Sequence, residues 1–180
     1  MPTTETTVAQ DLSFLNLARK RYSCRKYQDK AVEQDKLDLI LEAARVAPTA
    51  CNNQPQRIRM ITSSEELAKI DAVTPCRFGA PAVALVCYDN TVCWSSPFEP
   101  NHNSGDVDVS IIVSHMIFEA TELGLGTCWV MYFDPKKAAE EFNLPANLTP
   151  VALLPMGYAA SDATPAAMHD KSITIAQMTF

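Results

Sequence analysis

The run Ala82-Val83-Ala84-Leu85-Val86-Cys87-Tyr88 constrains the fold more than any other stretch of the chain. It has no charged side chain, is partly β-branched, and lies between Pro81 and Asp89. It is far shorter than the roughly 20 apolar residues that a bilayer-spanning helix needs. A strand covered on both faces, in the middle of a sheet, satisfies such a run. That requires apolar elements above and below it, and the flanking sequence supplies them. From Asp106 to Leu123 the residues Val109, Ile112, Val113, Met116, Ile117 and Ala120 recur at helical spacing, predicting the longest helix, ended by a left-handed cap at Gly124. Leu37, Ile40, Leu41 and Ala44 predict an earlier helix entered at Ala31-Val32-Glu33 and stopped by Pro48.

Shorter elements fill the remainder. Asp11 is placed to cap a helix carrying Phe14, Leu15, Leu17 and Ala18. Arg57-Ile58-Arg59-Met60-Ile61-Thr62 alternates like a strand with one buried face, and Ser63 with Glu66 forms a capping-box pattern opening a helix to about Ala72. Thr127 to Phe133 is predicted to be extended, Asp134-Pro135 to open a helix over Lys136 to Phe142, and Val151 to Tyr158 to form a last strand. Helices and strands interleave without repeats or linkers, so the expectation is an α+β (α/β layered) domain over residues 11–180. Residues 1–10 are expected to be a flexible arm, and residues 159–180 an extended one.

Composition narrows the function classes. The net charge is -6 and the pI about 5.0, yet Arg19, Lys20, Arg21, Arg25 and Lys26 crowd into RKRYSCRKY. A nucleic-acid surface is disfavoured, because the rest of the chain would repel a polyanion. A solvated charge run is the plain alternative. Tyr22, Ser23 and Tyr27, however, set hydroxyl groups beside the guanidinium groups, and Arg with Ser suits a compact phosphate. The start MPTTETTVAQDL has neither a basic nor an apolar leader region, and the apolar runs are short, so a cytoplasmic protein with no membrane partner is expected. Six cysteines without a CxxC pair are read as reduced thiols. Cys93 with His102 or His115 is a weak zinc alternative, and no metal is expected.

Two further segments bear on chemistry. Ala47-Pro48-Thr49-Ala50-Cys51-Asn52-Asn53-Gln54-Pro55-Gln56 is either an ordinary helix-to-strand connection or a set of amides suited to a heteroaromatic ring with carbonyl and imide edges. Gly124-Leu125-Gly126-Thr127-Cys128-Trp129-Val130 lacks the spacing of a nucleotide-phosphate loop and follows a helix rather than a strand.

In this order, Arg21-Tyr22-Ser23-Cys24-Arg25, Ala47 to Pro55, Gly124 to Val130 with Phe133-Asp134, and Leu154-Pro155-Met156-Gly157-Tyr158 resemble the nitroreductase family of FMN-dependent oxidoreductases. The resemblance covers about Leu17 to Tyr158. It implies a central, mostly antiparallel sheet flanked by helices, in an intertwined homodimer with FMN at the interface. It also implies roles for individual residues. Arg21 and Ser23, with Tyr22 between them, would hold the phosphate and ribityl end. Arg25 would stand near the N1 and C2 carbonyl edge, where positive charge favours the reduced ring. Pro48, Thr49, Ala50 and Asn52, with Gln54 close by, would approach from the partner subunit. The backbone of Trp129, Val130, Met131 and Tyr132 would run along the ring, one amide donating to N5. Lys171 would complete the phosphate site, and no side chain need act as a catalytic acid.

The implied activity is transfer of hydride from NADH or NADPH through flavin N5 to a nitroaromatic, quinone or similar small-molecule acceptor, by a ping-pong mechanism. Trp94 and Phe98, in the loop from Trp94 to Gly105, are lid candidates, with plain rim packing the alternative for Trp94. Two departures stand out: Met131 where a small residue is usual, and Gln56 where an aromatic one is common. Met131 leaves a second reading open, a non-redox flavin-binding or flavin-degrading protein on the same scaffold.

Overall fold

Alternation along one strand explains the whole layering. In the computed structural model, which describes residues 14–180, β2 (Ala82–Asp89) is buried along almost its full length. Ala82, Ala84 and Val86 enter one apolar cluster, while Val83, Leu85 and Cys87 enter another on the opposite face. The sheet order is β1-β2-β4-β3, with β1 (Gln56–Ile61), β3 (Gly126–Thr127) and β4 (Leu148–Gly157) all paired antiparallel to their neighbours. Leu85 faces Leu153 across the β2/β4 ladder, and the register shifts between Val86 and Cys87. β1 keeps the expected alternation: Arg57 and Arg59 are exposed, whereas Ile58 and Met60 pack on the first cluster.

α2 (Gln34–Val46) and α4 (Gly105–Glu122) cover the first face, contributing Leu37, Ile40, Ala44, Val109, Ile112, Val113, Met116 and Ala120. α3 (Ser64–Val73) and α5 (Pro135–Glu141) cover the second. α1 (Phe14–Lys20) lies outside both and buries none of its residues. The predicted cap at Asp11 and the arm at residues 1–10 lie outside the described residues.

Local chemistry sets the ends. α2 stops at Val46, and Ala47 before Pro48 is extended (φ -62°, ψ 140°). At the end of α4, Gly124 is left-handed (φ 79°). Its N–H donates to Thr121 O at 3.2 Å, and Leu125 N–H donates to Ala120 O at 2.8 Å, the paired bonds of a Schellman ending. Asp134 caps α5 by accepting from the amides of Lys136 and Lys137.

Three expectations need adjustment. Ser63 Oγ accepts from Glu66 N–H at 3.3 Å, but the Glu66 carboxylate takes Arg59 on one oxygen and the Ser63 hydroxyl on the other (3.4 Å) rather than the Ser63 N–H, so the reciprocal half of the capping box is not made. The stretch from Thr127 to Phe133 is not one strand, since regular pairing ends at Thr127 and resumes only in an isolated bridge between Val130 and Leu153. The tail is not extended throughout, for Thr174 and Gln177 cap a one-turn helix, α6 (Ile175–Met178).

A polar clamp ties the chain's early and late parts together. The Tyr158 hydroxyl donates to Glu33 Oε2 at 2.6 Å, and Lys36 Nζ donates to the Tyr158 oxygen at 2.7 Å. Lys36 Nζ also donates to Leu123 O at 3.2 Å, and Lys30 Nζ lies 3.7 Å from the Tyr158 ring centroid. The Tyr158 hydrogen bond, with help from Lys30, pulls the Glu33 carboxyl from 4.5 down to about 2. A carboxyl lowered in the folded state stabilises above its unfolded value, and that contribution disappears as pH falls through the folded one. Glu33→Gln should therefore melt below wild type at pH 7, and the gap should close as pH drops from about 4.5 towards 2. A gap that stays constant across that window in thermal melts would refute the assignment.

Candidate functional site

The segment from Arg21 to Arg25 is fastened to the sheet edge as a rudimentary extra strand. Arg21 N–H donates to Leu17 O at 3.1 Å, closing α1. Two residues on, Ser23 bridges Thr127 in parallel, and Cys24 N–H donates to Thr127 O at 2.8 Å. Gly126 makes this approach possible, because a Cβ there would stand 2.7 Å from Cys24 Cβ and 2.8 Å from its sulfur. The Tyr27 hydroxyl, in reach of Cys24 O (2.9 Å) and Pro155 O (3.2 Å), pins the segment from the other side.

With the backbone held this way, the side chains face two small cavities. Arg21, Ser23, Thr127 and Trp129 meet Ser114 and Phe118 of α4 around a space of about 180 Å³. Arg21, Tyr22, Ser23 and Arg25 meet Ala166, Met168 and His169 of the tail around another, of about 210 Å³. Arg25 Nη1 donates to Ser23 O at 3.3 Å. Neither Arg21 nor Arg25 has an ion-pair partner among the described residues, whereas Lys26 pairs with Asp162 at 2.7 Å. Lys171 is exposed and outside both linings; Ala166, Met168 and His169 are the tail residues at the second cavity, with the His169 ring 6.3 Å from that of Tyr22.

Several donors at this edge lack acceptors. Val130 exchanges both backbone hydrogen bonds with Leu153, at 2.9 and 3.0 Å. Alternate residues of an extended chain point their N–H groups to opposite edges, so Trp129 and Met131 turn theirs away from β4. Nothing accepts from the amides of Trp129, Met131 or Tyr132 among the described residues. The Trp129 indole Nε1 is buried and also without a partner there. A donor left unpaired when its surroundings close costs about 1–3 kcal/mol, so the unpaired amides at this edge suit an occupant rich in acceptors. Two unpaired guanidinium groups, a serine hydroxyl and a row of free N–H groups fit FMN, which presents a phosphate, ribityl hydroxyls and ring carbonyls. The Cys128 thiol and the Tyr22 hydroxyl are kept neutral. Burial raises the pKa of the Cys128 thiol, with Arg25 opposing, and burial together with Cys24 raises that of Tyr22.

The loop from Pro48 to Gln54 is elsewhere in this chain and lines neither cavity. It forms a single 3-10 turn at Ala50–Asn52, with Cys51, Asn52 and Gln54 all left-handed (φ 52°, 54° and 51°). Thr49 Oγ1 accepts from Gln54 N–H at 3.0 Å, and Asn52 Oδ1 accepts from Gln54 Nε2 at 3.1 Å. Sequence reasoning missed the α4 face of the cavity, Ser114 and Phe118, because both fit an amphipathic helix without further meaning. It also missed Asp108, whose buried carboxylate accepts from Ala50 N–H at 2.8 Å. Cys93, His102 and His115 do not converge: Cys93 Sγ faces Asn90 O, His115 Nδ1 lies 2.8 Å from Ile111 O, and His102 stands beside Glu99.

This fold and edge site define a known class. The chain matches the Nitroreductase family over residues 18–78 and 78–158, and it belongs to that family. Among solved structures, a nitroreductase family protein from Clostridium difficile 630 is 41% identical, with a TM-score of 0.88 over 94% of this chain and 98% of that one. An FMN-dependent nitroreductase from Clostridium difficile R20291 is 26% identical, with a TM-score of 0.69 over 88% of this chain and 98% of that one. A Methanothermobacter thermautotrophicus protein whose name pairs NADH dehydrogenase with NAD(P)H nitroreductase is 29% identical over 160 residues, 84% of this chain and 80% of its own.

The close contact at Gly126 gives a direct test. Gly126→Ala forces Cys24 away from β3, and overpacking of this kind costs about 1–3 kcal/mol. In a chain this size that lowers the melting temperature by roughly 2–10 °C. FMN affinity should fall at the same time, because Arg21, Ser23 and Arg25 move with Cys24. Wild-type melting and FMN titration in this variant would show that the contact does not position the segment.

Proposed function

We propose that this member of the nitroreductase family is a homodimeric, FMN-dependent NAD(P)H oxidoreductase that reduces small acceptors such as nitroaromatics or quinones, with donor and acceptor taking turns at one site. The observation that carries the reading is the convergence of Arg21, Ser23, Thr127 and Trp129 on one cavity, beside the unpaired amides of Trp129 and Met131. When bound, FMN supplies an N5 atom that takes up and gives back hydride.

The chain's own residues then have binding and orienting tasks. Arg21 and Ser23 hold the phosphate and ribityl end, and Tyr22 stays a neutral hydroxyl. Arg25 presents positive charge to the ring edge where negative charge gathers on reduction. The amides from Trp129 to Tyr132 direct hydrogen bonds at the ring. His169, and Lys171 two residues on, bring the tail to the phosphate side. No carboxylate or thiolate among the residues lining the two cavities is set up as a general base, in keeping with chemistry carried by the cofactor.

Two features support a second copy of the chain. Pro48, Thr49, Ala50, Asn52 and Gln54 lie away from the Arg21 cavity in their own chain, so they reach a cofactor only in another. Much apolar surface is also uncovered: Phe14, Leu17, Leu39, Val46 and Phe118 line a groove of about 540 Å³, and Met168, Ile173, Ile175 and Met178 of the tail are exposed. Met131 is 68% exposed, so its side chain is not packed into the core.

The purified protein should be yellow and dimeric, and should oxidise NADH or NADPH when a nitroaromatic or quinone is supplied. Each charge-assisted hydrogen bond to the cofactor is worth about 1.5–3 kcal/mol, so Arg21→Ala with Arg25→Ala should weaken FMN binding by roughly 100-fold or more. Bound FMN without turnover on any donor would favour the non-redox reading, and unchanged flavin content in the double variant would remove both guanidinium groups from the site.

A further inference from the structure

The proposed function makes no use of Asp108, although this is the most deeply buried charged side chain among the described residues, 1% exposed. It sits in the first turn of α4 and has no cationic partner among the described residues. Two donors satisfy it instead, one 58 positions away and one at the N-cap of the same helix, four residues before it. Ala50 N–H donates to Oδ1 at 2.8 Å, and the Ser104 hydroxyl donates to Oδ2 at 2.6 Å. Ser104 extends the connection, since its Oγ accepts from Trp94 N–H at 3.2 Å and its own N–H donates to Trp94 O at 2.9 Å.

A buried carboxylate carries a desolvation penalty, and hydrogen bonds to it are stronger than neutral ones. At one end of this chain of bonds lies the loop with Cys51, Asn52 and Gln54 in the left-handed region, a conformation that persists only where the surroundings impose it. At the other lies the segment with Trp94 and with Phe98, which is 93% exposed. We propose that Asp108 is a positioning residue for cofactor and acceptor. Through Ala50 it holds the 47–54 loop in the shape that meets FMN in the other subunit, and through Ser104 it ties that loop to the segment over which acceptors enter. The proposal rests on the functional reading above, but its central claim concerns loop geometry and is measurable without turnover.

Hydrogen exchange of single amides in the FMN-loaded dimer, with FMN affinity from titration of the stripped protein, tests it. Asp108→Ala should speed exchange at the Ala50 amide at least 100-fold and weaken FMN binding at least tenfold, with far-UV circular dichroism and dimer mass unchanged. Asp108→Asn keeps an acceptor for Ala50 and turns its amide to the Ser104 oxygen, so it should restore both readouts to within about threefold of wild type. Ser104→Ala should leave the Ala50 amide protected and kcat unchanged, while exposing the Trp94 amide and shifting the KM for menadione at least threefold. A folded Asp108→Ala with Ala50 exchange and FMN affinity within twofold of wild type would overturn the proposal. If that variant does not fold, Ser104→Ala decides, and unchanged Trp94 exchange with unchanged KM overturns it. Wild-type protein that takes up no FMN would instead defeat the functional reading and the cofactor half of this one, even if Asp108→Ala still released the Ala50 amide.

Discussion

Helix α4 sits where it does because little of it tolerates water. Val109, Ile112, Val113, Met116 and Ile117 are buried between the sheet and α2. At about 1.5–3 kcal/mol for each such side chain, the five together rival the whole net stability of an ordinary domain. The helix cannot shift or rotate without losing a large part of that, so groups on its less buried face and at its ends inherit fixed positions. Ser114 and Phe118 are thereby set opposite Arg21, and Asp108 is buried beneath the Ala50 turn. The left-handed ending at Gly124 delivers the chain into β3, where Gly126 receives Cys24.

Electrostatics around the site follows from what is paired elsewhere. Arg45, Arg57, Arg59 and Arg77 each have a carboxylate partner, as expected in a chain with six more acidic than basic groups. Arg21 and Arg25 do not, because Cys24 is locked to Thr127 and its neighbours are presented to the cavities rather than to the acidic surface. Two cations held apart from carboxylates beside partly enclosed spaces attract a compact anion far more strongly than the same residues would on an open face.

Period and punctuation made most of the layering legible in the sequence. The apolar run at β2, the helical spacing of α4 and α2, the glycine after α4 and the Asp-Pro pair before α5 each act locally, and each is found where its residues place it. The candidate site was legible as segments but not as an arrangement. No periodicity shows that Trp129 comes to line a cavity with Arg21, since regular pairing ends at Thr127 and resumes only at the bridge between Val130 and Leu153. Asp108 reads as an ordinary acid near a helix start, and only the fold, by laying Ala50 against it across 58 positions, gives it partners. The half-made box at Ser63 has a related cause, for Glu66 shares its carboxylate between a tertiary partner, Arg59, and the Ser63 hydroxyl, and leaves the Ser63 amide aside.

The two segments proposed to meet FMN differ mechanically, and that difference bears on what the proposed function requires. The Arg21 to Arg25 half is built into the sheet edge through Ser23, Cys24 and Tyr27, so it moves only if the sheet does. The 47–54 half is a loop with three non-glycine residues in the left-handed region, held by side-chain hydrogen bonds at Thr49 and Asp108 rather than by a ladder. On the proposed reading, a rigid grip on the phosphate end would keep the cofactor in register whatever lies over its ring, while a loop held at a few points would let the space above the ring adapt to acceptors of different outline. Cofactor binding and acceptor choice would then fall to different parts of the fold.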